Sequence, residues 1–540
     1  MSFRFLSAAL GVAILVLGCA RNRPDAPGAE PRHPGHVIID GSFADWNAGS
    51  YVARRDPSSD ARDSTQPYSN NADVVGVAQQ TDAHYVYLRL DLARAATLYG
   101  LHGAVSLEFD ADGDASTGAE IDGLAGTDFS IDLSPMINGR QADGAAVRVL
   151  RNGRVVSNTD TYALDFVLLP TYLASTSELR IARGRRLDSA SAPIFMGSSY
   201  RAQVAVHDST GALRYRLPAF SASLGAMDTT QHVASTDPLA RAPTTQFRVL
   251  QWNVANEGLR DRPERFRRIL AAIDPDLLIL DEVGGVVGRE GTGRFLASID
   301  SGRQRAPWSY TYGGGGGYQR TVIASRTSVT EFPEFQLIPF SDSMTARLLA
   351  AVPAATRERQ RASLADALAT GGAIVAMNGK RIAVFGVDLQ SAGNSPDSWQ
   401  ELRRQAEANM VRDLAVRATR AHGPVDAVIA AGDHNLVSTR QPLTTLGEIG
   451  LGFDGKRLTP AELLQLDSAT AATWDGSGGQ FPPGRLDWIN YSAAQLQVVG
   501  GFVFDVADLG ERWRVAHHLE PEDSKKSSDH RPVVVDLRWR

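Results

Sequence analysis

Two apolar runs that end in carboxylates constrain this chain more than any other feature. Leu277-Leu278-Ile279-Leu280 has no polar position on either face and then delivers Asp281 and Glu282. Residues 427–431 do the same and end in Gly432-Asp433-His434-Asn435. A strand that is apolar on both faces has to be covered on both, as in a layered α/β enzyme, and acids at such strand ends lie where loops gather around a cleft. The neighbouring pattern agrees. Phe247 to Val254 reads as a strand, and Pro263 opens an amphipathic helix with Phe266, Ile269, Leu270 and Ile273 on one face. Residues 373–377 and 380–387 flank Asn378-Gly379, a hairpin signal, and Leu402, Ala406, Met410 and Leu414 mark a further helix. Late in the chain come a strand over 485–489 and Ser527-Ser528-Asp529-His530-Arg531-Pro532 before a last strand over 533–537.

A chain of 540 residues is too long for one core, so two or three domains are expected. Before residue 240 the pattern is different: short alternating runs, separated by Gly, Asp, Asn and Ser, with no long amphipathic helix. Strands are expected over 83–90, 105–109, 129–133 and 200–207, and an antiparallel β-sandwich over 36–240 follows from them. A polar stretch over 235–245, with Pro238 and Pro243, reads as the linker to a second domain over 246–540. Asp110, Asp112 and Asp114 alternate around a turn and could converge on a structural Ca²⁺, whose ligands are oxygens. Asp and Gly also simply make tight turns, and Ile121 stands where an EF-hand would carry its bidentate Glu.

The net charge of −6 gives no global basic field of the kind that draws a protein onto nucleic acid. A local basic cleft stays open, since Lys occurs only at 380, 456, 525 and 526 and the other basic residues are Arg. The first 19 residues read as an export signal: Arg4, an apolar run over 6–17, then Val16-Leu17-Gly18-Cys19. That end resembles a bacterial lipobox, which implies lipidation of Cys19 and anchoring to a membrane that faces the periplasm or the exterior. The alternative is a plain secretory signal with an incidental Cys. Cys19 is the only cysteine, so no intrachain disulfide can form. Residues 20–35 are polar and rich in Pro and Gly, a flexible tether.

Five motifs in order resemble the endonuclease/exonuclease/phosphatase superfamily, the DNase I-like fold. They are Trp252-Asn253, Glu282, Gly432-Asp433-His434-Asn435, Arg485-Leu486-Asp487 and Ser528-Asp529-His530. The resemblance implies an α/β four-layer sandwich of two packed mixed sheets flanked by helices. It also implies hydrolysis of a phosphoester by metal-assisted water attack, with Mg²⁺ or Mn²⁺. Glu282, Asn253 and Asp529 would hold or position that metal. Asp433 would orient or deprotonate the water, Asn435 would bond a phosphoryl oxygen, and His530 would contact the phosphate or act as acid/base, with Asp487 fixing its imidazole. In the first domain, Ile39-Asp40-Gly41-Ser42-Phe43-Ala44-Asp45-Trp46 resembles the opening of carbohydrate-binding module family 9-like sandwiches, which implies a glycan partner; the alternative is a purely structural spacer.

Three positions depart from the family's pattern. Asp388 stands where many members carry a phosphate-binding His, Asp281 replaces a Gln, and His434 replaces a commoner Phe. A carboxylate at 388 repels phosphate unless it is protonated or metal-bound; Gln390 or Asn394 could take over as donors. The five glycines 313–317 lack the Lys-Ser or Lys-Thr of a phosphate loop and read as a mobile surface loop. Arg357, Arg359 and Arg361 read as one solvated helix face. The substrate expected is nucleic acid, phospholipid or a small phosphate ester. The rival function is a surface glycan- or polymer-binding lipoprotein whose phosphoesterase-like domain is catalytically weakened.

Overall fold

A computed structural model describes residues 37–58, 68–159, 161–187, 193–228, 234–300, 304–476 and 479–540. The export signal, Cys19 and the tether lie outside the described residues. Among the described residues no helix is long and apolar enough to cross a membrane.

Residues 37–228 carry two two-stranded ribbons, Ala119–Ile121 with Leu124–Thr127 and Met136–Ile137 with Arg140–Gln141, and two large antiparallel sheets. One runs Tyr51–Arg54, Val74–Thr81, Tyr85–Ala96, Ala174–Ala182, Val167–Leu169. The other runs Arg154–Thr159, Ala145–Arg151, Phe129–Leu133, Val105–Asp110, Ser199–His207, Leu213–Arg216, with Phe220–Ser223 also paired to Ser199–His207. Strand side chains alternate between faces, so Val105, Leu107 and Phe109 share one core with Phe129, Ile131, Leu133, Val204 and Val206. The Asp110 turn differs from the expected triad. Asp114 turns onto Ser116, accepting its backbone N–H at 2.9 Å and its hydroxyl at 2.7 Å. Asp128, from the next strand connection, replaces it: Asp110, Asp112 and Asp128 bring carboxylate oxygens within 4.8 Å of one another.

From Phe247 onward two six-stranded mixed sheets pack face to face. The first runs Ser309–Tyr310, Gln319–Ser325, Leu277–Gly284, Phe247–Asn256, Val533–Trp539, Leu496–Val503. The second runs Val329–Glu331, Thr370–Met377, Lys380–Asp388, Ala427–Asp433, Asp487–Tyr491, Thr459–Pro460. Three apolar layers follow from strand alternation. Val249, Ile279, Val384, Ile429 and Ile489 fill the space between the sheets. Leu250, Trp252, Leu278 and Leu280 face the helices Pro263–Ile273 and Gly288–Ile299. Ala383, Phe385, Val428 and Ala430 face the helix Trp399–Ala421, which Ser398 caps by accepting the Glu401 N–H. This is the four-layer α/β sandwich. The hairpin is as expected, with Asn378 and Gly379 both at positive φ.

The linker is not a free spacer: Leu239 is buried in the helix-side core, and Arg248 donates to its carbonyl at 2.9 Å. The glycine run is also not a free surface loop. Gly313, Gly314 and Gly316 donate to Thr321, Gln336 and Asp366 carbonyls at 3.0, 2.9 and 2.9 Å. A Cβ on Gly315 would lie 2.2 Å from the Leu368 carbonyl oxygen, so the glycines permit close backbone packing. Arg359 and Arg361 are exposed, but Arg357 is half-buried and caps carbonyls of Leu349 and Val352 at 3.1 Å each.

Candidate functional site

The face that holds the inter-sheet core continues past its apolar residues into polar ones. Along Phe247–Asn256, Val249 is followed on the same face by Gln251 and Asn253; Ile279 is followed by Asp281, Val384 by Asp388, and Ile429 by Asp433. Asp487 begins the strand that carries Ile489, opposite Asp433 in the ladder, and Asp388 pairs with Asp433 from the other side. One end of the inter-sheet layer is therefore lined by carboxylates and amides. Extra residues in the first sheet, between Asn253 and Asn256 and between Leu280 and Val283, break the alternation there. They put Ala255, Asn256 and Glu282 at φ +52°, +59° and +51°, and Asn435 stands at +48°. Left-handed conformations on non-glycine residues cost of order 1–3 kcal/mol each and are held here by side-chain bonds. Asn253 Nδ2 donates to Glu282 Oε1 at 3.0 Å and Asn256 Nδ2 to Glu282 Oε2 at 2.8 Å.

Around this end the sequence-derived residues assemble. Asn253 Nδ2 also reaches Asp433 Oδ2 at 3.3 Å. His530 Nδ1 bonds Asp487 Oδ2 at 2.8 Å, and its Nε2 lies 3.6 Å from Asp433 Oδ2. Asp433, Asp487 and His530 hold ligand atoms within 4.8 Å of one another. Asp433 Oδ1 accepts the Asn435 backbone N–H at 2.9 Å, and the Asn435 amide donates to the Leu389 carbonyl at 2.9 Å. Asp529 is exposed at the rim, where the Trp474 indole N–H holds its Oδ2 at 2.9 Å. Asn253, Glu282, Asp433, Asn435, Asp487 and His530 thus share one buried end of the core, and Asp529 flanks it.

Three contributors were not singled out from the sequence. Gln251 donates to both Asp281 Oδ2 at 2.9 Å and Asp487 Oδ1 at 3.0 Å; its position two residues before Asn253 in an apolar strand was the signal for it. Thr473 donates its hydroxyl to Asp487 Oδ2 at 2.7 Å, and Trp474 holds Asp529. They lie in an irregular segment with no periodicity to expose them. The expected substitutes for the missing His are engaged elsewhere. Gln390 donates to the Ser391 carbonyl at 2.8 Å, and Asn394, 4% exposed, donates to Asp143 of the sandwich at 3.1 Å. His434 is buried, with Nδ1 at 2.9 Å from the Gly432 carbonyl and Nε2 at 3.2 Å from Asn490 Nδ2; burial lowers its pKa to about 4, so it stays neutral and structural.

The electrostatics are those of a site short of positive charge. Burial, reinforced by Glu282, Asp433 and Asp281, pushes Asp388 well above the usual carboxylate range. Burial also raises Asp281 and Glu282. Asp433 is raised to about 7, mainly by burial, with His530 opposing the rise. Burial acts against charge on His530, but Asp487 and Asp433 outweigh it and hold the imidazole well above its ordinary value. A donor set of carboxylates and amides around such a deficit fits a hard divalent cation.

Residues 250–530 match the model of the Endonuclease/Exonuclease/phosphatase family. The chain belongs to that family. Its members are metal-dependent hydrolases of phosphoesters, so the chain carries the domain of such an enzyme. No curated protein matches the chain. Among solved structures it is similar to a 3′ phosphatase, NExo, from Neisseria bound to product DNA hairpin, at 18% identity and TM-score 0.33, over 54% of this chain and 100% of that one. It is similar to the human Nocturnin catalytic domain with bound sulfate, at 15% identity and TM-score 0.33, over 56% and 97%. A family protein from Leptotrichia buccalis matches at 14% identity and TM-score 0.35, over 54% and 99%.

Proposed function

We propose that the protein is an exported, lipid-anchored phosphoesterase that hydrolyses phosphodiester or phosphomonoester bonds with Mg²⁺ or Mn²⁺, in a nuclease-like or phospholipase-like manner. The observation that carries this is the Asp487–His530–Asp433 array beside the Asn253–Glu282 pair, at one end of the inter-sheet core. Glu282, with Asn253 and Asp529, would hold the cation, which supplies charge to offset that on the phosphoryl oxygens. Asp433, raised to about 7, is suited to take a proton from the attacking water as its oxygen bonds to phosphorus and the ester P–O bond breaks. His530, kept protonated by Asp487 and Asp433, offers Nε2–H to a phosphoryl oxygen. Asn435 spends one amide hydrogen on Leu389 and has the other for the substrate.

Asp388 fits this scheme as a neutral acid. Burial among Glu282 and Asp433 favours its protonated form, which donates to a phosphate where a carboxylate would repel it. The anchor at Cys19 and the membrane location rest on the sequence. For the sandwich, Trp46, its only tryptophan, is buried with its indole N–H on Glu178 at 2.8 Å, in a cluster with Ala471 and Ala472 of the second domain. That ring offers no open face to a sugar. The test gives protein lacking residues 1–19 Mg²⁺ or Mn²⁺ with plasmid DNA, sphingomyelin and bis-p-nitrophenyl phosphate. Turnover that disappears in Asp433→Ala and His530→Ala supports the proposal. Absence of turnover on every substrate, together with glycan binding, overturns it in favour of a binding protein.

A further inference from the structure

The sandwich touches the second domain at the loops that surround the reaction centre. The loop after Lys380–Asp388 is held by Tyr68 and Asn70, whose side chains donate to Asp397 at 2.6 and 3.2 Å. The loop after Asp433 is held by the Thr171 hydroxyl on the Leu436 carbonyl at 2.6 Å and by Leu173 N–H on the Ser438 carbonyl at 2.7 Å. The third contact is the most direct. Ile39 donates to the Ala469 carbonyl at 3.0 Å and accepts the Ala471 N–H at 3.0 Å and the Thr470 hydroxyl at 2.9 Å. Val37, Ile39 and Trp46 pack with Ala471 and Ala472 in one buried apolar cluster.

That segment runs directly into the reaction centre. The Thr473 hydroxyl donates to Asp487 and accepts the backbone N–H groups of Leu486 and Asp487 at 3.0 Å each. Its carbonyl accepts the Arg531 N–H at 2.6 Å, next to His530. Trp474 and the Asp475 N–H hold Asp529, at 2.9 Å on its side chain and 2.9 Å on its carbonyl. Segment 469–475 has no helix or extended ladder of its own domain to fix it. Within its own domain Gln465 donates from its backbone N–H to the Thr470 carbonyl at 2.7 Å and from Nε2 to the Ala472 carbonyl at 2.9 Å, and the Thr473 and Trp474 N–H groups donate to the Gly484 carbonyl at 2.8 and 2.9 Å; Ile39 on one side and the catalytic motifs on the other complete its anchoring.

We infer that the sandwich domain is a positioning element of the reaction centre, acting through the Ile39 bridge to residues 469–471 and from there through Thr473 and Trp474 on Asp487 and Asp529. The inference rests on the proposed phosphoesterase reading for what is being positioned. A displacement of about 1 Å at such a site can cost on the order of 100-fold in rate, so a loosened bridge acts on kcat more than on KM.

The experiment uses the full chain in detergent with Mn²⁺. Ile39→Pro deletes the N–H donor, Thr470→Val deletes the hydroxyl bond to Ile39, and Thr470→Ser restores it. Val204→Ala, in the sandwich core, controls for lost stability. Hydrogen exchange of 469–476 is read alongside kcat and KM on bis-p-nitrophenyl phosphate. The expected result is faster exchange in that segment and a kcat loss of about 10- to 100-fold in Ile39→Pro and Thr470→Val, with KM little changed. Thr470→Ser and Val204→Ala keep near wild-type kcat. Unchanged exchange, or faster exchange with unchanged kcat, overturns the inference. If the wild-type chain itself turns over no phosphoester, the phosphoesterase reading falls, and the exchange data alone then decide whether the bridge fixes the segment.

Discussion

Replacing Asp487 by Asn exchanges one oxygen for an NH₂ group and keeps the shape of a buried side chain. All three neighbours of this carboxylate are donors: His530 Nδ1 at 2.8 Å, the Thr473 hydroxyl at 2.7 Å and Gln251 Nε2 at 3.0 Å. The new NH₂ therefore faces a donor whichever way it turns. If it turns toward Oδ2's place, it removes the bond to His530; if toward Oδ1's place, it opposes Gln251. A hydrogen bond to a charged group is worth about 1.5–3 kcal/mol net. Loss of that amount in the transition state lowers kcat by about 10- to 150-fold. The sign of the pH effect also follows. Asp487 is the foremost group holding His530 above its ordinary value, so in the variant the imidazolium is lost at lower pH, and the basic limb of kcat moves down. Stability moves with it. The raised His530 pKa stabilises the fold fully below the ordinary imidazole value, and this is lost as pH rises through the raised one. Asp487→Asn shrinks that contribution. The assay is kcat and KM on bis-p-nitrophenyl phosphate with Mn²⁺ between about pH 5 and pH 9. A kcat within about threefold of wild type, with an unmoved basic limb, would refute a working Asp487–His530 pair.

The raised pKa values of Asp433, Glu282 and Asp388 favour the metal-free fold at low pH; for Asp433 that stability is full below about 3.8 and lost by about 7. A thermal-shift series should accordingly show a larger rise in Tm on adding Mn²⁺ at pH 8 than at pH 5; an equal rise at both would remove the carboxylates from the metal site. Asp388→Asn should keep kcat/KM within about fivefold, because it replaces one neutral donor by another; a loss of about 100-fold would mean the carboxylate is ionised and binds a cation. Gly315→Ala places a Cβ 2.2 Å from the Leu368 carbonyl oxygen and should lower stability by about 1–3 kcal/mol in urea unfolding; a wild-type midpoint would show that this loop is slack.

Much of the fold was legible because hydrophobic period depends on local order alone. Alternation located the strands Phe129–Leu133 and Ser199–His207, and 3.6-residue spacing located Pro263–Ile273, whose Phe266, Ile269, Leu270 and Ile273 are all buried. Apolar runs on both faces pointed to strands with a layer on each side, and Leu277–Gly284 has one. Where chain packing sets the outcome, the reading of residues 313–317 failed. Nothing local distinguishes glycines chosen for flexibility from glycines chosen for close approach, and only the facing carbonyls of Gln336 and Leu368 reveal the second. In the acidic turn only the third carboxylate was misplaced, for the same reason, since Asp128 and not Asp114 joins Asp110 and Asp112, across a strand connection.

By itself the sequence determined the chemical inventory of the site: a carboxylate or amide at each of several strand ends, and a histidine before the last strand. These are properties of residue type and local period. Only the tertiary structure decided how they act together. Two sheets packed face to face bring Asn253, Glu282, Asp433, Asp487 and His530 to one end of a shared core, from positions up to 277 residues apart, and bury them until their charges depend on one another. It also decided that Asp388 sits among other acids in a low-dielectric site, which favours the neutral form, and that a sandwich from the start of the chain holds the loop behind Asp487 and Asp529. Burial and long-range backbone bonding exist only once the chain has folded, and neither has a local signature.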